Sequence, residues 1–148
     1  MKRFVLFTAI ILALLVVGGM LSCEPSAQAQ AVEHSNQGII LAGEGRYDEA
    51  VAEYTKAIEI DPNYAQAYKN RGDAYDDKGH YDLAIADYNK AIELDPSYDI
   101  AYNNRGCTYC DKGHYDLAIA DYNKAIELSP NSALFYYNRG FAYSKKGR

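Results

Sequence analysis

The chain is written in a period of 34 residues. The stretch 77–94 (DKGHYDLAIADYNKAIEL) recurs without a change as 111–128, and 25 of 34 positions agree between 65–98 and 99–132. Residues 31–64 form a more divergent copy, containing GRYDEAVAEYTKAIEIDPNY, and a fourth copy runs for half a period over 133–148. A period of this length marks a tandem array, in which one supersecondary unit buries its apolar face only against the next. The repeat therefore restricts the chain to a solenoid of three units and a half unit.

Each unit reads as two helices. Tyr68, Gly72 and Tyr75 stand four and three residues apart, one stripe of a helix, and Ala84, Tyr88, Ala91 and Ile92 form a second stripe. Lys78-Gly79-His80 between them is a tight turn with glycine just past a helix end. Asp82 falls in the next first turn, where the helix dipole favours an acid, and Asp95-Pro96 stops the second helix. Asn63 and Ser97 are candidate caps for the helix that follows. Gly72 and Gly106 occupy helix interiors at about 1 kcal/mol relative to Ala. They are expected to face the small residues Ala84 and Ala118 across a close helix pair.

Composition narrows the function. Fifteen Lys and Arg against twenty Asp and Glu give a net charge of −5. Removing residues 1–22, which hold Lys2 and Arg3 and no acid, leaves −5 − 2 = −7. Such acidity argues against a protein that tracks nucleic-acid phosphates. HExxH, a phosphate-cradling glycine loop and GxSxG are all missing from the sequence, so no catalytic residue, metal or cofactor is assigned. His80 and His114 occupy equivalent turns one repeat apart, and His34 replaces an aromatic at a packing position. Cys107 and Cys110 lie on one helix face where the preceding copy has Asp73 and Asp76. They read as drifted surface residues, with redox or metal work as the alternative.

The N-terminus reads as an address. Lys2 and Arg3 precede a charge-free run from Phe4 to Val17, and small residues and Cys23 follow before a polar stretch. Met20-Leu21-Ser22-Cys23 resembles the lipobox of bacterial lipoproteins, which implies lipidation of Cys23. Ala27-Gln28-Ala29 would instead release a soluble protein, and an uncleaved anchor is a third reading. The domain plan is a signal peptide or anchor over 1–22, a polar linker over 23–30 and repeats over 31–64, 65–98, 99–132 and 133–148.

The repeat resembles the tetratricopeptide repeat (TPR). Its signature stands as Tyr68, Gly72, Tyr75, Ala84, Tyr88, Ala91 and Pro96, and again as Tyr102, Gly106, Tyr109, Ala118, Tyr122, Ala125 and Pro130. The first copy keeps Gly38, Ala50, Tyr54, Ala57 and Pro62, with His34 and Leu41 at the aromatic positions. Arg71, Arg105 and Arg139 replace the leucine that usually precedes the glycine. The resemblance implies an all-α fold, a right-handed superhelix of antiparallel helix hairpins.

Asn36, Asn70, Asn104 and Asn138 recur 34 residues apart on the first helix of each unit. First helices about 10 Å apart match about three residues of extended chain, and an amide offers a donor and an acceptor to a peptide backbone. The series resembles the asparagine ladders with which some TPR superhelices hold extended peptides. Tolerance of Asn at an exposed position gives the same recurrence, because Asn-Arg-Gly travels as a block. On either reading the asparagines are exposed and replaceable at little cost to folding. Lys69, Asp73 and Asp76 flank the series in one unit, and Tyr137 and Phe141 do so in the last. The acidic and aromatic stretches point to a ligand with basic and hydrophobic portions. The family's clamp for acidic chaperone tails is poorly matched: Lys69 and Asn104 fit, but Asp73, Leu134 and Asn138 do not.

These features imply a non-catalytic scaffold of the bacterial cell envelope that binds an extended peptide on its concave face. The alternatives are a self-associating array and the recognition arm of a longer enzyme. Tyr136, Gly140 and Tyr143 form a stripe suited to a further helix, and Phe135 and Phe141 add aromatic surface. A longer chain, a partner's helix or self-association through this last helix would cover it; the alternative is that the helix is itself the cap on the third repeat.

Overall fold

The computed structural model describes residues 26–147. The leader over 1–22 and Cys23 lie outside the described residues. The described chain is helical throughout: α1 (Ala27–Gly43), α2 (Tyr47–Ile60), α3 (Ala65–Asp77), α4 (Tyr81–Leu94), α5 (Asp99–Asp111), α6 (Tyr115–Leu128) and α7 (Ala133–Lys146). The first helix starts earlier than the repeat boundary. Ser26 caps it by accepting from the Ala29 amide at 3.2 Å, so residues 27–30, expected as linker, form its first turn.

Three hairpins, α1–α2, α3–α4 and α5–α6, stack in chain order, and α7 packs on α6. The turns within hairpins are closed by Gly45, Gly79 and Gly113, all at φ between 72° and 76°. Beyond Gly79, the His80 amide reaches back to the Tyr75 carbonyl at 2.8 Å, satisfying a helix-end acceptor. Between hairpins the expected caps do not form. Asp61 and Asp95 instead accept from the amides of Asn63 and Ser97 at 3.0 and 2.9 Å, folding each Asp-Pro turn from its first residue.

The seam of each hairpin pairs a glycine with a tyrosine ring. A Cβ on Gly72 would lie 2.8 Å from Tyr88 Cε1, and one on Gly106 would lie 2.8 Å from Tyr122 Cε1. The glycines therefore make room for the rings, rather than for Ala84 and Ala118 as the sequence implied. Those alanines are fully buried beside them.

The arginines at the leucine position have a structural role. Arg71 forks onto Asp87 through Nε and Nη2 at 2.7 and 2.8 Å, and its Nη1 donates to Thr55 of the preceding hairpin at 3.0 Å. Arg105 repeats the arrangement with Asp121 and Asn89, each guanidinium lying over a tyrosine of its own helix. A second tie joins each turn to the preceding unit: Lys78 to Asp48, Lys112 to Asp82 and Lys146 to Asp116.

The curvature follows from which helices meet. First helices touch in the order α1, α3, α5, α7, whereas α2, α4 and α6 do not approach one another. The short side of the stack, and so its concave face, is made by the first helices.

Candidate functional site

A helix that packs on its neighbours along two edges leaves one narrow stripe free. Along α3 that stripe carries Gln66, Lys69, Asn70, Asp73 and Asp77; with Ile39 and Ala42 of α1 they line a concavity of about 430 Å³. On α5 and α7 the equivalent positions hold Ile100, Asn103, Cys107, Leu134, Tyr137 and Phe141. Leu134 and Phe141 are about half exposed and Tyr137 is 73% exposed. Polar and acidic groups thus occupy the middle of the face, and apolar groups its last helix.

Asp73 is the hub of the polar part. Its Oδ2 takes Lys69 Nζ at 2.8 Å, and its Oδ1 accepts from Tyr88 Oη at 2.8 Å and Asn104 Nδ2 at 2.9 Å. Burial, with the nearby Asp73 charge, raises the Tyr88 hydroxyl far above its ordinary value, so it remains a donor. Asn104 Oδ1 accepts from Asn103 Nδ2 at 3.1 Å, and Asn103 Oδ1 accepts from Asn138 Nδ2 at 2.9 Å. One hydrogen-bond chain therefore crosses α4, α3, α5 and α7.

That chain changes the reading of the asparagines. Asn36 is exposed, but Asn70 is only 7% exposed, and Asn104 and Asn138 are half-buried and bonded to neighbouring units. They are not free side chains replaceable at no cost; Asn104 and Asn138 tie unit to unit. Asn70 differs again. Its Oδ1 lies 3.4 Å from Lys69 Nζ, while its buried Nδ2 has no hydrogen-bond partner. A buried donor left unpaired costs about 1–3 kcal/mol, so this amide calls for an acceptor.

Asp76 accepts from Thr108 Oγ1 at 2.7 Å. Burial pushes its carboxyl above the ordinary carboxylate range, and Asp111, Asp77 and Asp73 push in the same direction. Burial and then Asp73 raise Asp77 likewise. The cysteines are not surface residues. Cys107 and Cys110 are half-buried against the α6 core, with Tyr122 Oη 3.4 and 3.7 Å from their sulfurs, and burial raises both thiols. Asn103 stands at the position of Lys69 beside the asparagine series, as helical spacing implies, whereas Thr108 belongs to the site but carried no sequence signal, since the preceding copy has Ala74 there. Phe135, expected to add surface, is buried at the position of Ala67 and Ala101.

The stripe expected to receive a further helix is open: Tyr136 and Tyr143 are about half exposed, and a Cβ on Gly140 would meet nothing within 4 Å. Among the described residues no group of His, Cys, Asp and Glu is arranged to hold a metal ion.

The family model described as "TPR repeat" matches residues 38–79 and 106–147. Two further models, each described as "Tetratricopeptide repeat", match 65–98 and 87–120. No curated protein matches the chain. Among solved structures, the first TPR of Spaghetti (RPAP3) bound to the HSP90 peptide SRMEEVD superposes with a TM-score of 0.79 at 28% identity, over 82% of this chain and 96% of that one. The second TPR domain of human RPAP3 in complex with the HSP70 peptide SGPTIEEVD gives 0.76 at 28% identity, over 79% and 98%. The Sgt2 TPR domain from Aspergillus fumigatus gives 0.76 at 26% identity, over 79% of each chain.

Proposed function

Because the chain belongs to the tetratricopeptide repeat family, we propose that it is a non-catalytic scaffold that holds an extended peptide segment of a partner on its concave face. The observation that carries this reading is the unbroken stripe along α1, α3, α5 and α7, with a concavity at one end and exposed Leu134, Tyr137 and Phe141 at the other. Two of the similar structures hold peptides, which supports the class of ligand. Asn36, Lys69 and Asp73 remain candidate contacts. Asn104 and Asn138 would act by fixing the spacing of the face. The proposed place of action is the bacterial cell envelope, supported by the basic-apolar leader and Cys23.

The full chain, presented with a random peptide library, should select linear peptides. Replacing Tyr137 and Phe141 with Ser should remove the selection without changing helicity, because both side chains are already exposed. A chain that selects nothing, and shows only concentration-dependent oligomers, would instead be a self-associating array. For the location, Cys23→Ser should abolish acyl-chain labelling. A mature N-terminus at Gln30 without lipid would overturn lipidation.

A further inference from the structure

The charges of the concave face define a ligand class, on the premise that the face binds peptides. Lys69 is committed to Asp73, which leaves Asp76, Asp77 and Asp111 without an ion-pair partner among the described residues. Asp76 lies within electrostatic reach of the other three carboxylates, so the cluster is continuous from α3 to α5. Beyond the Lys69–Asp73 pair, the remaining like charges are stabilised by a cation that arrives from outside.

A second observation points to a ligand beside this cluster, in the concavity that Asp77 shares with it. Asn70, Asp73 and Asp77 share one helical face at spacings of three and four, and all three line the concavity between α1 and α3. Asn70 there presents a buried, unpaired Nδ2, a donor that a peptide carbonyl can satisfy. Ile39 supplies an apolar wall at that end, and the aromatic shelf of α7 lies two helix positions away. Two steps of about 10 Å correspond to roughly six residues of extended chain.

We propose that this concave face selects peptides carrying Lys or Arg about six residues from an aromatic or aliphatic side chain, and rejects peptides ending in clustered carboxylates. The cation sits among Asp76, Asp77 and Asp111, Asn70 takes a backbone carbonyl, and the apolar residue covers Tyr137 and Phe141. The specificity is opposite in sign to the EEVD-ending peptides held by the similar structures. Glutamates of such a peptide would lie against Asp76 and Asp77, an arrangement that excludes a partner as firmly as a missing contact.

The test uses fluorescein-labelled peptides and anisotropy on the full chain. The probes are KKSGSGSWL amide, its reversed order, the neutral QQSGSGSWL amide, and SRMEEVD. One of the two cationic probes should bind at least about tenfold more tightly than the neutral one, and the advantage should shrink as salt rises from about 0.05 to about 0.5 M. SRMEEVD should bind more weakly than the neutral probe. Asp77→Asn with Asp111→Asn should remove most of the cationic advantage while leaving the neutral probe within about twofold. The proposal is overturned if SRMEEVD equals or exceeds the cationic probes, if the double variant changes nothing, or if no probe binds. A random library that still yields neutral or acidic binders would then preserve the peptide-binding reading and remove only its charge preference. A library that yields none would remove both.

Discussion

Substituting alanine for two equivalent glycines should move stability in opposite directions. Alanine gains about 0.8–1 kcal/mol over glycine in a helix interior, and this gain is common to Gly72→Ala and Gly140→Ala. The surroundings differ. At Gly72 the new Cβ would stand 2.8, 3.0 and 3.2 Å from three atoms of the Tyr88 ring. The ring cannot retreat: it is 1% exposed, lies among the buried Ala84 and Ala91, and is held at its hydroxyl by Asp73. Overpacking of a filled core costs about 1–3 kcal/mol, and so confined a ring places this site in the upper half of that range. Gly72→Ala should therefore be net destabilising by about 1–2 kcal/mol, and Gly106→Ala should behave alike against Tyr122. A Cβ at Gly140 meets nothing within 4 Å, so there the helical preference acts alone and gives a gain of up to about 1 kcal/mol. Urea unfolding followed by circular dichroism at 222 nm reads both as midpoint shifts, provided the slope is unchanged. Gly72→Ala as stable as the parent, or both variants shifting in the same direction, would refute the assignment of these glycines to the tyrosine rings.

The forked ion pair makes a second case. Asp87→Ala leaves the Arg71 guanidinium partly buried without its partner, and should cost about 2–3 kcal/mol; an unchanged urea midpoint would refute it. Asp76→Asn keeps an acceptor for Thr108 but removes a charge that burial disfavours and that Asp111, Asp77 and Asp73 repel, so it should stabilise by roughly 0.5 kcal/mol at pH 7. The pH dependence has a definite sign. With the folded value raised, the folded chain binds the Asp76 proton more tightly, so stability gained from this group grows as pH falls through the folded value. The gain is complete below the unfolded value, and Asp76→Asn should flatten that part of the melting profile. Cys107 and Cys110, raised by burial, should alkylate at neutral pH more slowly than in urea, read peptide by peptide by mass spectrometry. Equal rates would contradict their packing against Tyr122.

Much of the fold was legible because each of its signals is local. The glycine turns at Gly45, Gly79 and Gly113, the helix stops at Asp-Pro and the helical stripes each depend on a few consecutive residues. The depth of a side chain on the concave face does not. Periodicity placed Asn70 on a face, but its burial depends on how closely the neighbouring helices stand. Equivalence between copies carried information that one helix could not. Phe135 is buried where the other units bury Ala67 and Ala101, and Cys107 meets Tyr122 where Asp73 meets Tyr88. The slot was visible as a difference between copies, whereas the hydroxyl that fills it comes from another helix.

The arginine and lysine ties between units obey fixed sequence offsets, unlike the copy-specific bonds of Asn104 to Asp73 and Asn138 to Asn103. Arg71 to Thr55 and Arg105 to Asn89 span 16 residues, and Lys78 to Asp48, Lys112 to Asp82 and Lys146 to Asp116 span 30. Each is shorter than one period, so duplicating or deleting any 34-residue block preserves every one of them. The length of the concave face is thus open to change by copying alone, with no new interface to invent. The near-identity of 65–98 and 99–132 is what recent copying would leave behind; of the nine positions that differ, six lie on the first helix of the unit, Lys69 with Asn103, Asp73 with Cys107 and Asp76 with Cys110 among them, and three in the turn after the second helix. Expansion and specialisation are separable in such a chain: the seam is duplicated, and the stripe is rewritten.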